Sequence, residues 1–232
     1  MRQIIAMGGG GFSMEPDNSL LDEYILKLSN AAKPKVCFLP TASGDAEGYI
    51  DRFYTSFAQH TCEPTHLSLF RLPNVGLEEL LLGQDVIYVG GGNTKNMLAL
   101  WREWGIDVIL RKCWEQGVIL AGLSAGSICW FEEGLTDSYG ETLQSLKCLG
   151  FLKGSNSPHY DSEKARRSIF QKLILSDQMS EGYAADDGVA LHFTDTELFK
   201  VVSSRPNAKG YSLGKVGGQL IEQELDTIYL GA

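Results

Sequence analysis

Strand-sized apolar runs alternate with apolar residues at helical spacing through the first half of the chain. This alternation limits the possible folds more than any other feature. Ile4–Met7 reads as a buried strand and runs into four glycines, Gly8–Gly11. Leu20, Leu21, Tyr24, Ile25 and Leu28 then recur at the spacing of an amphipathic helix. Val36–Leu39, Thr65–Leu69, Val86–Val89 and Val118–Ala121 read as further strands, with helices over about 47–60, 93–104 and 106–116 between them. Strands alternating with helices make βαβ units. The expected fold class is therefore α/β, a mostly parallel sheet with helices on both faces. Beyond Gly182 the pattern shortens. Val189–Phe193, Leu198–Val202, Tyr211–Val216 and Thr227–Leu230 read as antiparallel strands that extend the sheet or form a small edge layer. No repeat, low-complexity stretch or linker interrupts the chain, so a single domain over 1–232 is expected.

Composition excludes several classes of function. Lys and Arg number 20 against 29 Asp and Glu, a net charge of −9. Nucleic-acid binding needs a basic surface to neutralise phosphates, so no nucleic-acid partner is expected. The apolar runs are strand-sized, so no membrane span is expected. The N-terminal apolar stretch is shorter than the core of a signal peptide. Five cysteines occur without C-x-x-C or Cys/His ligand spacing. They read as free core thiols of a cytoplasmic protein, and neither a metal nor another cofactor is expected.

In an open α/β sheet, ligands bind beyond the carboxyl ends of the strands. Three glycine-rich loops fall there: Gly8–Gly11, Gly90–Gly92 and Gly122–Gly126. The last reads Gly122-Leu123-Ser124-Ala125-Gly126, a G-x-S-x-G between a β-branched strand and an apolar helix start. So tight a turn strains the central residue and leaves its hydroxyl projecting over the sheet edge. Ser124 is thus a candidate nucleophile, and the Ala125 amide at the helix N-terminus a candidate oxyanion donor. The alternative is a Gly/Ser turn that only caps a helix.

A serine nucleophile needs a base. His60 falls at a helix end, His66 and His192 within strands, so these three read as structural. His159 sits in a polar turn after Pro158 and before a helix over Glu163–Leu175, and it is the candidate base. The base in turn needs a carboxylate to hold its tautomer. Asp187 and Asp137 compete for that place, with Asp161 third, and spacing does not choose among them.

VGGGNT at 89–94, AGLSAG at 121–126, SPHYD at 157–161 and GYAADDGVAL at 182–191 together resemble the landmarks of the peptidase E and cyanophycinase family, in the same order over most of the chain. The resemblance implies a fold related to class I glutamine amidotransferases, with serine where those enzymes carry cysteine. It implies a Ser124–His159–acid triad, the acid coming from the position of Asp187, with Asp137 second. Family members commonly carry glutamate at the acid position, so the shorter Asp187 requires its turn to approach His159 more closely. The resemblance further implies an oxyanion hole from Gly91 and Gly92 with Ala125. It implies hydrolysis of small peptides, with the dipeptidase branch acting on aspartyl substrates through a cationic group. Arg166 and Arg167 are the available cations, and Asn93 borders the glycine loop; these three are the candidate substrate-binding residues. Two other readings remain open: an α/β esterase using the order Ser124, Asp137, His159, and a non-catalytic binding module on the same scaffold.

Overall fold

The innermost strands have no polar face. Every residue of Gln3–Met7, Val86–Val89 and Ile119–Leu123 is buried, the condition of a sheet covered on both sides. The computed structural model describes residues 1–73, 76–140 and 142–231. In chain order the strands are β1 (Gln3–Met7), β2 (Lys35–Leu39), β3 (Glu63–His66), β4 (Val86–Val89), β5 (Ile119–Leu123), β6 (Phe131–Thr136) and β7 (Gln144–Lys147). There follow β8 (Leu152–Ser157), β9 (Gly182–Ala185), β10 (Val189–Thr194), β11 (Glu197–Ser203), β12 (Gly210–Val216), β13 (Gln219–Glu224) and β14 (Thr227–Tyr229). The α-helices are α1 (Gly11–Met14), α2 (Leu20–Lys27), α3 (Glu47–Phe57), α4 (Leu77–Leu82), α5 (Thr94–Trp104), α6 (Ile106–Glu115), α7 (Ala125–Ile128) and α8 (Arg166–Leu175).

The larger sheet has the order β14-β11-β10-β1-β5-β4-β2-β3. Its five strands from β1 to β3 pair in parallel, and β10 joins β1 antiparallel. Side chains alternate across the sheet. Ile4 and Ala6 therefore join Trp101, Leu110 and Trp114 of α5 and α6 on one face. Ile5 and Met7 join Leu21, Phe38 and Phe53 on the other, beneath α2 and α3. Phe12 stands at the centre of that second core, its ring 5.3–5.7 Å from those of Phe38, Tyr49, Phe53, Phe57 and Tyr88. The expected α/β class holds.

The C-terminal half differs from the expectation. β10, β11 and β14 do extend the first sheet, but β9, β12 and β13 belong to a second, six-stranded sheet of order β13-β12-β9-β8-β6-β7. Its inner strands β6, β8 and β9 are parallel. Helix α8 covers it through Phe170 and Ile174, packed with Leu135, Ala184 and Leu213. β8 escapes sequence reading because its buried residues include Ser155, Asn156 and Ser157, and β6 and β7 are short segments whose burial does not alternate with apolar type. No apolar alternation marks such strands. β3 covers Glu63–His66 rather than 65–69: Leu67 and Leu69 are buried, but they lie past the end of the pairing.

Candidate active site

β5 ends at Leu123, and Ser124 takes φ 54, ψ −113 before α7 begins. A non-glycine residue in such a conformation costs on the order of 1–3 kcal/mol, so the surroundings must hold it there. They do so through the backbone. Ser124 N–H donates to the Met7 carbonyl at 3.2 Å, and its own carbonyl accepts from Ser127 and Ile128. Both flanking glycines are required by packing: a β-carbon on Gly122 or Gly126 would collide with the Val89 carbonyl of β4. Ala125 is the first residue of α7, so its N–H has no acceptor within the helix. Ser124 is half-buried, and among the described residues its Oγ makes no hydrogen bond within 3.5 Å. Bonds of this kind commonly tighten only when substrate binds.

β8 delivers the candidate base. It runs to Ser157, and after Pro158 the His159 backbone takes φ 54. The His159 side chain is mostly buried, and its Nδ1 lies 2.6 Å from Oδ1 of Asp187. A carboxylate only accepts, so Nδ1 carries the proton, and in the neutral ring the Nε2 lone pair is free. Burial pushes the Asp187 carboxyl up, but the His159 ring, the Ser162 hydroxyl and Arg205 outweigh it, and the group ends below the ordinary carboxylate range. The short acid does reach the base. Asp137 does not take that place: it is exposed, in a turn where its carbonyl accepts from Gly140 N–H. The esterase order built on Asp137 loses its acid with it.

The end of β1 joins the two sides. Because β10 is antiparallel to β1, its beginning lies at the same edge as the carboxyl ends of β1 and β5. Asp187 just precedes β10, and it bridges to Gly9, whose carbonyl accepts from Gly188 N–H at 3.1 Å. A β-carbon on Gly9 would collide with the Asp187 carboxylate, and one on Gly8 with the Asp186 carbonyl. The glycine run is the bare backbone against which the acid turn packs. Ser127 of α7 and Asn156 of β8 add a buried tie, Nδ2 to Oγ at 2.8 Å, between the helix after Ser124 and the strand before His159.

The remaining candidates divide. A β-carbon on Gly91 would stand 3.3 Å from the Ser124 Cβ, so this loop does flank the serine. However, Gly91 N–H donates to the Tyr49 hydroxyl at 3.2 Å and is not free for an oxyanion. Nothing in the sequence singled out Tyr49, which sits on the buried face of α3. Gly92 packs against the Ala42 carbonyl at φ 136. Asn93 is occupied at both ends of its amide: Oδ1 caps α5 by accepting from Asn96 N–H, and Nδ2 donates to the Ser138 carbonyl. Arg166 is buried, bonded to the Leu135 carbonyl and to Glu163. Arg167 pairs with Glu222 and lies over the Tyr160 and Tyr211 rings. Each of these three side chains is engaged by the scaffold, Arg166 in full burial and Arg167 with half of its side chain still exposed.

The sequence model of peptidase family S51 matches residues 4–201. The chain belongs to peptidase family S51. S51 is a family of serine peptidases, and this member is a serine-type hydrolase. It is 58% identical over 231 residues to YgaJ, an uncharacterised peptidase of Bacillus subtilis (strain 168), covering 100% of both chains. Among solved structures it resembles a peptidase from an acI-B1 Actinobacterium, with TM-score 0.68 and 20% identity over 98% of this chain and 95% of that one. A candidate peptidase E from Listeria monocytogenes EGD-e aligns with TM-score 0.58 and 16% identity, over 97% of this chain and 100% of the other. Both structures share the fold. Among the described residues no helix is long and apolar enough to cross a membrane.

Proposed function

We propose that this S51 chain hydrolyses small peptides, in the manner of a dipeptidase, through an acyl-enzyme on Ser124. The observation that carries the reading is the pairing of a strained Ser124 elbow with the His159–Asp187 contact of 2.6 Å on one sheet edge. Strain of this kind is kept where a fold uses it. Ser124 Oγ attacks the peptide carbonyl while His159 Nε2 takes its proton, and Asp187 holds Nδ1–H and supports the imidazolium. The Ala125 and Gly92 amides receive the oxyanion. His159 then passes the proton to the leaving amine, and water, deprotonated by Nε2, attacks the acyl carbon and releases Ser124. No step calls for a metal or an organic cofactor. The engagement of Arg166 and Arg167 by the scaffold gives no support to an aspartyl pocket, so the proposal names small peptides without a preferred side chain. Free thiols at all five cysteines, four of them buried, support a cytoplasmic location.

The test is covalent labelling with a fluorophosphonate, followed by turnover of a dipeptide panel. Wild type is expected to label at Ser124 and to cleave at least one dipeptide. Ser124→Ala and His159→Ala should each lower kcat by a factor on the order of 10⁴–10⁶, without adding when combined. Turnover near wild type in Ser124→Ala would remove the assignment.

A further inference from the structure

The proposed mechanism leaves one acidic side chain beside the His159–Asp187 pair without a task. Asp161 follows His159 by two residues, and its Oδ1 accepts the backbone N–H of Asp187 at 2.9 Å. Tyr160, between them, donates its N–H to the Ala185 carbonyl at 3.1 Å. With the Nδ1 to Oδ1 contact, three hydrogen bonds lace the turn that carries the base to the turn that carries the acid.

The two turns need that lacing. His159 sits at φ 54, a region that costs an L-residue roughly 1–2 kcal/mol, so its turn gains by relaxing unless held. The Asp187 side chain is short, and a small shift of its backbone opens the contact to His159. Gly9 blocks Asp187 on one side by direct packing. Asp161 holds its backbone N–H from the turn that carries His159. The carboxylate itself meets His159 and the Ser162 hydroxyl, so the Asp161 contact is the one that fixes the backbone from which it projects.

We propose that Asp161 is a positioning residue, whose carboxylate holds the Asp187 amide and so keeps the acid in register with His159. It acts through Asp187 and does not touch substrate. This role rests on the reading of Ser124, His159 and Asp187 as a triad. What the role needs is an acceptor oxygen, not a charge. Asp161 is exposed, so its charge is screened by water and salt, whereas a hydrogen bond from a fixed N–H is directional. Asparagine keeps the acceptor and alanine removes it.

The experiment measures fluorophosphonate labelling as separate kinact and KI values for wild type, Asp161→Ala and Asp161→Asn, with Ser124→Ala alongside. Asp161→Ala should lower kinact by at least about tenfold, because sub-ångström misplacement of a base is costly. Its KI should stay within about twofold, since ground-state binding is untouched. Asp161→Asn should recover kinact to within about threefold of wild type, its amide oxygen serving as the acceptor. The low-field imidazole proton resonance of His159 provides a second readout in each folded variant: it should persist in Asp161→Asn and shift or broaden in Asp161→Ala. An Asp161→Ala protein with the wild-type kinact and resonance overturns the proposal. So does an Asp161→Asn protein as slow as alanine, because charge would then be what matters. Labelling that persists in Ser124→Ala fails the triad reading itself, a result distinct from either.

Discussion

Asp22 lies under the glycine loop at 1% exposure, with the Tyr88 hydroxyl 3.1 Å from Oδ1 and no partner for Oδ2 among the described residues. Burial pushes its carboxyl up to about 7, against the smaller pulls of Tyr88 and the Phe12 amide. Its folded value thus lies above the ordinary 3.8. Below that ordinary value both states are protonated and nothing is lost. As pH rises toward about 7 the unfolded chain releases this proton while the native state keeps it, so stability falls with pH across that window. Asparagine carries no proton to lose. Asp22→Asn should therefore gain on wild type between pH 5 and pH 8 by about 2 kcal/mol or more, read from urea unfolding at both values. Equal gaps at the two pH values would mean that Asp22 titrates normally.

At the scale of elements, the glycine run after β1 shows how a loop without side chains serves a site it does not enter. The motif Gly8–Gly11 is visible in the sequence as a glycine-rich loop at the sheet edge. What packs there, Asp187, is visible only in the fold. Gly9→Ala places a methyl group where the Asp187 carboxylate stands, so either the acid turn or the loop must move. Labelling of Gly9→Ala by fluorophosphonate is expected to slow by about 100-fold or more, as misplaced catalytic groups do, while far-ultraviolet circular dichroism stays that of wild type. Wild-type labelling would show that the loop is free to yield. The elbow is the contrasting element. Its G-x-S-x-G, the preceding strand and the helix start are contiguous, so the strain at Ser124 was legible from local sequence alone. Strand β8 was not, because polar residues buried by their neighbours carry no periodic signal.

For the molecule as a whole, His192 offsets Asp22. It is buried on β10, with Tyr24 donating to Nδ1 at 2.6 Å and its Nε2–H donating to Gln3 at 3.0 Å, so it ties α2 and β1 to β10 as a neutral ring. Burial, with Lys200 nearby, lowers its value from 6.5 to about 4. Between those values the unfolded chain binds a proton that the native state refuses, and stability falls as pH falls. Asp22 has the opposite slope over the same range, so the two contributions offset each other in wild type. Relative to wild type, His192→Gln should lose about 2 kcal/mol as pH rises from 4.5 to 6.5, whereas Asp22→Asn should lose a similar amount relative to wild type as pH falls. Urea midpoints for the three proteins across this range check the pair; parallel curves would remove both assignments.

The residues that met locally were readable in order along the chain. Parallel strands, crossover helices, the serine elbow and the histidine turn all follow from spacing and local sterics, because each is decided within one or two elements. Spacing left Asp187 and Asp137 open and only the family resemblance ranked Asp187 first, since an acid becomes a partner only when a distant strand returns to the same edge. The antiparallel return of β10 beside β1 does this for Asp187, while the turn after β6 leaves Asp137 in solvent. The loss of the Gly91 amide to Tyr49, and of Asn93, Arg166 and Arg167 to scaffold contacts, has the same cause. A donor's chemistry is written in its residue type, but whether it is free depends on which groups the rest of the fold brings within about 3 Å of it.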